Sequence, residues 1–306
     1  PTASSIRPAL AAACSAALLL GFALFLSQSQ PSDTSLTSSL SGRANFRARG
    51  TSLRPILAKR SPPSAAAAAA GAAAGAPSVT LYQFQTCPFC SKVRTYLDYK
   101  KIPFEVVEVN PVTKSEIKWS DTYKKVPIAK INGEQINESA NIIRHVADII
   151  GDGQAKDNSV KEWSEWLDMK LVKTLPPNIY RTPGEALEAT GVIAKTGNYD
   201  LFQKITSEYL GAAAMFFISK KMRDKYGITE GQEREALYAE VGKWVDGLGD
   251  KQFMGGNQPN MADLEVFGVL ESVAGMSTSN DMLQNTKISS WYNRMREATG
   301  RAAGPA

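Results

Sequence analysis

A pair of cysteines placed between a strand and a helix constrains the fold of this 306-residue chain more than any other feature of its sequence. Residues 78–84 are rich in β-branched and aromatic side chains, which predicts a strand. Cys87-Pro88-Phe89-Cys90 follows, and residues 91–101 have the apolar spacing of a helix. A proline in the first turn suits that helix, because its missing N–H would have no partner there.

The position of these cysteines predicts a reactive thiol. A helix N-terminus presents unpaired N–H groups and the positive end of the helix dipole, which favour a thiolate at Cys87. We expect Cys87 to be exposed and nucleophilic, and Cys90 to lie within reach to resolve a mixed disulfide. Two chance cysteines or half of a zinc site are the alternatives, although three cysteines cannot supply a four-thiolate site.

Further strands and helices follow the cysteine pair in a recognisable order. Residues 104–109, 126–131 and 134–136 predict three strands, the last two joined by a tight turn at Asn132-Gly133. A helix is predicted from Glu138 to Ile150. The order strand, helix, strand, helix, strand, strand, helix predicts an α/β thioredoxin-like domain over residues 77–150.

Two dipeptides in this domain suggest a binding site for an extended peptide such as glutathione. Val126-Pro127 opens a strand, and an X-Pro bond there is often cis, which would leave the Val126 backbone free to pair with the peptide. Glu138-Ser139 opens a helix, where a hydroxyl and N–H groups can bind a carboxylate while Glu138 pairs with an ammonium group. An ordinary edge-strand proline and simple helix capping are the alternatives.

The remainder of the chain predicts a second, all-helical domain over residues 159–300. Residues 151–158 are polar and contain glycine, as a linker does. Trp163, Trp166, Leu167 and Leu171 form one apolar stripe, and residues 200–226 predict a long helix. Pro259-Asn260-Met261-Ala262-Asp263 is typical of a helix start, with Asn260 as the N-cap.

Residues 1–76 have a different composition from the rest of the chain. Residues 9–26 are almost entirely apolar and long enough to cross a bilayer core, which predicts membrane association by a single N-terminal segment. Residues 34–60 are rich in Ser, Thr and Arg and contain no acid, so import into a plastid or mitochondrion by a bipartite presequence is the alternative. An Ala/Pro/Gly tract over residues 61–77 predicts a low-complexity linker.

Charge and histidine content exclude several classes of function. Seven of the 35 Lys and Arg residues but only one of the 30 Asp and Glu residues lie in residues 1–76, so the rest of the chain is nearly neutral. The rest of the chain therefore lacks the excess of basic residues that is typical of nucleic-acid-binding proteins. We interpret the single histidine, His145, as an ordinary helix residue, with metal or base chemistry as the alternative, and predict no metal site.

Several segments, in order and in both domains, are similar to one known family. The thioredoxin-like unit, the linker and the helical unit together resemble the glutathione transferase superfamily. Within that superfamily the chain resembles the membrane-associated prostaglandin E synthase type 2 family over residues 78–300. The segments that carry this resemblance are residues 81–94, 107–112, 125–128, 177–187, 211–215 and 253–260.

The resemblance implies a thiol-dependent isomerisation of prostaglandin H2 to prostaglandin E2. It also implies glutathione as a cofactor, possible haem binding and a possible homodimer. Carried over by position, Cys87 is the catalytic thiol with Cys90 beside it. The residues that would line the glutathione site are Phe89, Val126, Pro127, Glu138 and Ser139.

One departure from the family concerns the thiol itself. The family has a tyrosine three residues before the first cysteine, where this chain has Phe84, so thiol activation would depend on the helix dipole alone. Two other functions stay open: a glutaredoxin-like thiol–disulfide oxidoreductase acting on a disulfide, and a non-catalytic glutathione- or haem-binding protein held at a membrane.

Overall fold

The structure is a computed structural model, and it describes residues 76–301 apart from residues 112, 157–159 and 197–198. The predicted membrane segment and the alternative import signal lie outside the described residues. Among those that are described, no helix combines the length and the apolar character needed to cross a bilayer. The domain boundaries at 77–150 and 159–300 stay a prediction.

A four-stranded mixed sheet forms the first part of the fold. Its strands are β1 (Val79–Gln83), β2 (Glu105–Glu108), β3 (Ile128–Ile131) and β4 (Glu134–Asn137), arranged in the order β2-β1-β3-β4. β1 runs parallel to β2 and antiparallel to β3, so Leu81 pairs with Val106 on one side and with Ala129 on the other. The alternate residues of β1, among them Leu81, are buried against the helices.

Two helices accompany this sheet: α1 (Pro88–Tyr99) and α2 (Ser139–Ile150). The sequence order also included a helix between β2 and β3, but the described residues there form only a single 3₁₀ turn, Ser115–Ile117. Side-chain hydrogen bonds compete with helical ones there, because the Asn110 side chain accepts from the Thr113 N–H while the Glu116 side chain accepts from the Asn110 N–H. The thioredoxin-like α/β fold is nevertheless confirmed.

The second part of the described chain is helical. Its first helix, α3 (Lys161–Trp166), continues through a π-helical turn, Leu167–Leu171, into α4 (Val172–Ile179). The later helices are α5 (Pro183–Thr196), α6 (Leu201–Lys225), α7 (Glu233–Leu248), α8 (Met261–Glu271), α9 (Ser277–Asn285) and α10 (Ser289–Ala298). The predicted cap before α8 is confirmed, because Asn260 and Asp263 form a reciprocal capping box.

The two parts pack closely where α1 meets α8. Gly268 of α8 lies so near α1 that a Cβ added to it would stand 2.8 Å from the Lys92 Cα atom. The Lys92 side chain is buried, and its Nζ atom lies 3.2 Å from Glu265 and 3.3 Å from Asp168 of the π-helical turn. The helix that carries the two cysteines is therefore held by the helical part as well as by the sheet.

Candidate active site

The cysteine pair lies at the start of α1, as the sequence predicted. Cys87 is the N-cap residue, and its sulfur accepts a hydrogen bond from the Cys90 N–H at 3.4 Å. The Cys87 N–H in turn donates to the Phe84 carbonyl at 3.1 Å, which fixes the end of the loop after β1. Both thiols are free.

The expectation that Cys87 is exposed is wrong for this structure. Its exposed fraction is 7%, and that of Cys90 is 0%. Both residues belong to a small apolar cluster with Phe84 and Val126, whose side chains shield the sulfurs from water. Only a small part of Cys87 is therefore accessible to a reagent or substrate.

The two thiols differ in acidity. Burial raises the pKa of Cys87. This effect is outweighed by hydrogen bonds from the Cys90 thiol and from the Cys90 and Phe89 N–H groups, together with the charge of Arg94. The Cys87 pKa is therefore below its ordinary value. Burial, the hydrogen bond to Cys87 and repulsion by Cys87 raise the pKa of Cys90 well above its ordinary value. Cys87 is thus the more acidic thiol of the pair, and Cys90 the less acidic one.

A buried charged network beneath the thiols was not found by sequence reasoning. The Arg94 guanidinium of α1 donates to the Gln83 side chain and, at 2.8 Å, to the Gln85 carbonyl. The Glu108 carboxylate of β2 accepts from the Gln85 N–H at 2.5 Å. The backbone of the loop before Cys87 is therefore held from two sides, by a cation and by an anion.

Glu108 is also unusual in its ionisation. Burial raises the pKa of this carboxyl group to about 7, although hydrogen bonds from Gln85 and Gln83 and the charge of Arg94 act in the opposite direction. The only signal for Arg94 in the sequence is that a charged residue lies one helical turn after Cys90, on the buried side of α1. A pattern of this kind does not reveal the partner, because Glu108 belongs to another strand.

The predicted glutathione residues come together beside Cys87. The Val126–Pro127 peptide bond is cis, which confirms that expectation. The Pro127 carbonyl accepts from the Glu138 N–H at 3.3 Å, so the two dipeptides are adjacent. Within the described part of the chain, neither the N–H nor the carbonyl group of Val126 has a hydrogen-bond partner.

Glu138 has a backbone conformation that residues other than glycine rarely adopt. Its φ is 70° and its ψ is 139°, which costs on the order of 1–3 kcal/mol and is characteristic of binding sites. Among the described residues, its carboxylate makes no capping hydrogen bond to α2; Asn141 donates to it at 3.5 Å. Simple capping by Glu138 is therefore not its role. Ser139 is buried at the first position of α2, and the half-buried Phe89 packs against the thiol cluster.

The remaining predicted candidates lie elsewhere. His145 is on α2, with its Nε2 atom 3.9 Å from a Glu134 carboxylate oxygen of β4, in keeping with an ordinary helix residue. A cavity of about 520 Å³ lies among α4, α5, α6 and the start of α7, and it includes none of the predicted site residues. In residues 76–301, outside the gaps given above, no cluster of His, Cys, Asp and Glu has a metal-binding arrangement.

Comparison with known proteins gives consistent results. Residues 81–152 match the family model of the glutathione S-transferase N-terminal domain. The chain is 40% identical over 269 residues to prostaglandin E synthase 2 of Danio rerio, covering 72% of this chain and 71% of that relative. It is 35% identical over 274 residues to prostaglandin E synthase 2 of Mus musculus, covering 73% and 71%.

A solved structure agrees with the fold. A glutathione S-transferase of Ceriporiopsis subvermispora, in complex with glutathione, matches with a TM-score of 0.51 at 17% identity, covering 73% of this chain and 98% of that chain. At that identity the likeness shows the fold alone. The thioredoxin-like sheet and the helical part thus occur together as they do in glutathione transferases.

Proposed function

The chain belongs to the prostaglandin E synthase 2 family of the glutathione transferase superfamily, and from this premise we propose that it is a glutathione-dependent isomerase that converts prostaglandin H2 to prostaglandin E2. The observation that carries the proposal is the Cys87 thiol at the N-cap position of α1, where its sulfur accepts a hydrogen bond from the Cys90 N–H at 3.4 Å. Its pKa is lowered while that of Cys90 is raised, which makes Cys87 the better nucleophile of the pair.

The proposed reaction begins with the Cys87 thiolate attacking the C9 oxygen of the endoperoxide. A sulfur–oxygen bond forms, the oxygen–oxygen bond breaks, and the C11 oxygen leaves with the electron pair and takes up a proton. Removal of the C9 proton then forms the C9 ketone and breaks the sulfur–oxygen bond, which returns the thiolate. Atoms and electrons balance without an external oxidant or reductant, as an isomerisation requires.

Glutathione, when bound, would supply a second thiol to the site. The free backbone groups of Val126 suit the extended cysteinyl part of the tripeptide, as a neighbouring strand would. Glu138 suits the ammonium group and Ser139 the carboxylate of the γ-glutamyl part, while Phe89 and Pro127 would form the walls. The backbone strain at Glu138 supports a role in binding.

Haem binding, membrane association and a homodimer are further proposals. Haem binding follows from family resemblance alone, since the chain's one histidine faces Glu134 on β4, and no step above involves haem. Membrane association through residues 9–26 and a homodimer are likewise predictions.

The second candidate is a glutaredoxin-like oxidoreductase, which one observation favours. The Cys90 N–H already contacts the Cys87 sulfur, so Cys90 is close enough to displace a partner from a mixed disulfide. The oxidoreductase activity needs both cysteines, whereas the isomerisation needs only Cys87 of the two.

The experiment that separates the candidates uses the full chain with glutathione. It is assayed with prostaglandin H2, by product analysis against a reaction without protein, and with a glutathionylated peptide. The isomerase proposal expects prostaglandin E2 formation that Cys87→Ser abolishes and Cys90→Ser largely retains. Activity on the disulfide alone, lost with either substitution, would support the oxidoreductase and exclude the isomerase.

A further inference from the structure

Phe84 leaves the proposed site without a hydroxyl group where the family has one. Phe84 packs in the same apolar cluster as Cys87 and Cys90 and is itself buried. The proposed isomerisation nevertheless needs a proton at the C11 oxygen and a base for the C9 proton. The Cys90 thiol is poorly suited to this, because it is fully buried and its proton stabilises Cys87.

Tyr123 places a phenol at this site from a different chain segment. It lies three residues before Val126, in the loop that leads to β3, and its half-buried ring packs against the cluster that contains Cys87 and Cys90. Its backbone is fixed, since the Ser120 hydroxyl donates to the Tyr123 carbonyl at 2.7 Å. With respect to the residues that the structure describes, the phenol group has no hydrogen-bond partner.

The electrostatic surroundings keep this phenol protonated. Burial raises the pKa of Tyr123 most, and the charges of Glu138, Cys87 and Cys90 raise it further. The Tyr123 ring packs against the cluster that contains both thiols. A neutral O–H group on this ring, with no hydrogen-bond partner among the described residues, is suited to donate a proton to a bound substrate.

We propose that Tyr123 is a catalytic residue, which donates its phenolic proton to the C11 oxygen and then, as phenolate, removes the C9 proton. This inference rests on the proposed isomerase function. In the first step the thiolate charge is consumed by the sulfur–oxygen bond and reappears on the Tyr123 oxygen. In the second step the phenolate takes the C9 proton, the ketone forms, and the charge returns to sulfur.

The change of charge on Cys87 during the reaction favours these two proton transfers by Tyr123. While Cys87 is a thiolate, its repulsion holds the proton on Tyr123; once sulfur binds oxygen, that repulsion disappears and the phenol becomes a better acid. When the thiolate leaves, the phenol again becomes the favoured form. The net charge of the site stays constant through both steps.

The test compares three variants of the full chain in the prostaglandin H2 assay with glutathione. Tyr123→Phe should lower kcat by about 100-fold or more, the usual contribution of general acid–base catalysis. Tyr82→Phe is the matched control, because Tyr82 packs against the same cluster but its ring makes an edge contact with Trp119; it should keep the wild-type rate. Phe84→Tyr combined with Tyr123→Phe should recover part of the loss.

Two further measurements separate catalysis from structure. Tyr123→Phe should leave the affinity for glutathione, measured by calorimetry, and the iodoacetamide alkylation of Cys87 within about twofold of wild type. The inference is overturned if Tyr123→Phe keeps more than a third of the wild-type kcat, if Tyr82→Phe loses as much, or if glutathione affinity falls in parallel. If the wild type itself forms no prostaglandin E2, the proposed function fails and this inference with it.

Discussion

Replacing Gly268 by alanine tests whether the contact between α1 and α8 holds the thiol helix in place. The added methyl group would lie 2.8 Å from the Lys92 Cα atom and 3.0 Å from both the Lys92 nitrogen and the Ser91 carbonyl oxygen. Carbon atoms in contact are normally about 3.5–4.0 Å apart. The two helices must therefore separate by nearly 1 Å, because all three atoms belong to the backbone and cannot rotate away.

The expected cost follows from these contacts. Overpacking of a dense interface costs about 1–3 kcal/mol, and the upper end applies here because separation also stretches the contact of Lys92 with Glu265. Alanine gains about 1 kcal/mol over glycine in helix propensity. The net loss in the free energy of unfolding should be about 2 kcal/mol.

The assay is urea unfolding followed by tryptophan fluorescence, with iodoacetamide alkylation of Cys87 in parallel. Gly242→Ala is the matched control, since Gly242 lies within α7 and an added Cβ would meet nothing within 4 Å. It should stabilise the protein by up to about 1 kcal/mol. If Gly268→Ala proves as stable as Gly242→Ala and leaves Cys87 alkylation unchanged, the contact does not position the thiol helix.

Three other predictions concern the site. Alkylation at pH 7 should label Cys87 much faster than Cys90, because only the Cys87 pKa is lowered; peptide mass mapping would contradict this if both were labelled equally. Phe84→Tyr should lower the Cys87 pKa further, by about one unit, because the new phenol would donate a hydrogen bond of about 1.5 kcal/mol to the sulfur. The measurement is a titration of thiolate absorbance in a protein that also carries Cys90→Ser. An unchanged titration would mean that position 84 does not face the sulfur. The pKa of Glu108 is about 7, against an ordinary value of 4.5. Between these two pH values the folded protein keeps a proton on Glu108 that the unfolded chain has lost. The free energy of unfolding should therefore fall by up to about 3 kcal/mol as the pH rises from about 4.5 to 7. Glu108→Gln should therefore be more stable than wild type at pH 8 and less dependent on pH, and equal urea midpoints for the two proteins at pH 8 would refute the shift.

Local signals explain what the sequence predicted well. The strand and helix around Cys87, the cis bond before Pro127 and the cap formed by Asn260 and Asp263 each depend on a few neighbouring residues. These features have recognisable patterns because backbone preferences and short-range hydrogen bonds determine them.

Features that depend on distant residues were not predictable in the same way. Lys92 contacts Asp168, which lies 76 positions later in the chain, and Glu265 on a still later helix. Sequence periodicity does not indicate such distant partners. The burial of Cys87 depends on Val126 and Phe84 closing over it. The described residues between β2 and β3 form a 3₁₀ turn and not the expected helix, because the Asn110 and Glu116 side chains compete with the backbone for its hydrogen bonds.

The contacts of α1 also have a consequence for the kinetics of folding. Its partners are remote in the chain: Gly268 and Glu265 on α8, and Arg301, which donates to Asp98 at 3.0 Å across 203 positions. Closing such long loops slows folding, so the helix that bears the cysteines reaches its final packing late. The residues that cover the two thiols, among them Phe84 and Val126, are close to them in the chain, so Cys87 and Cys90 should be shielded from oxidation before α8 docks.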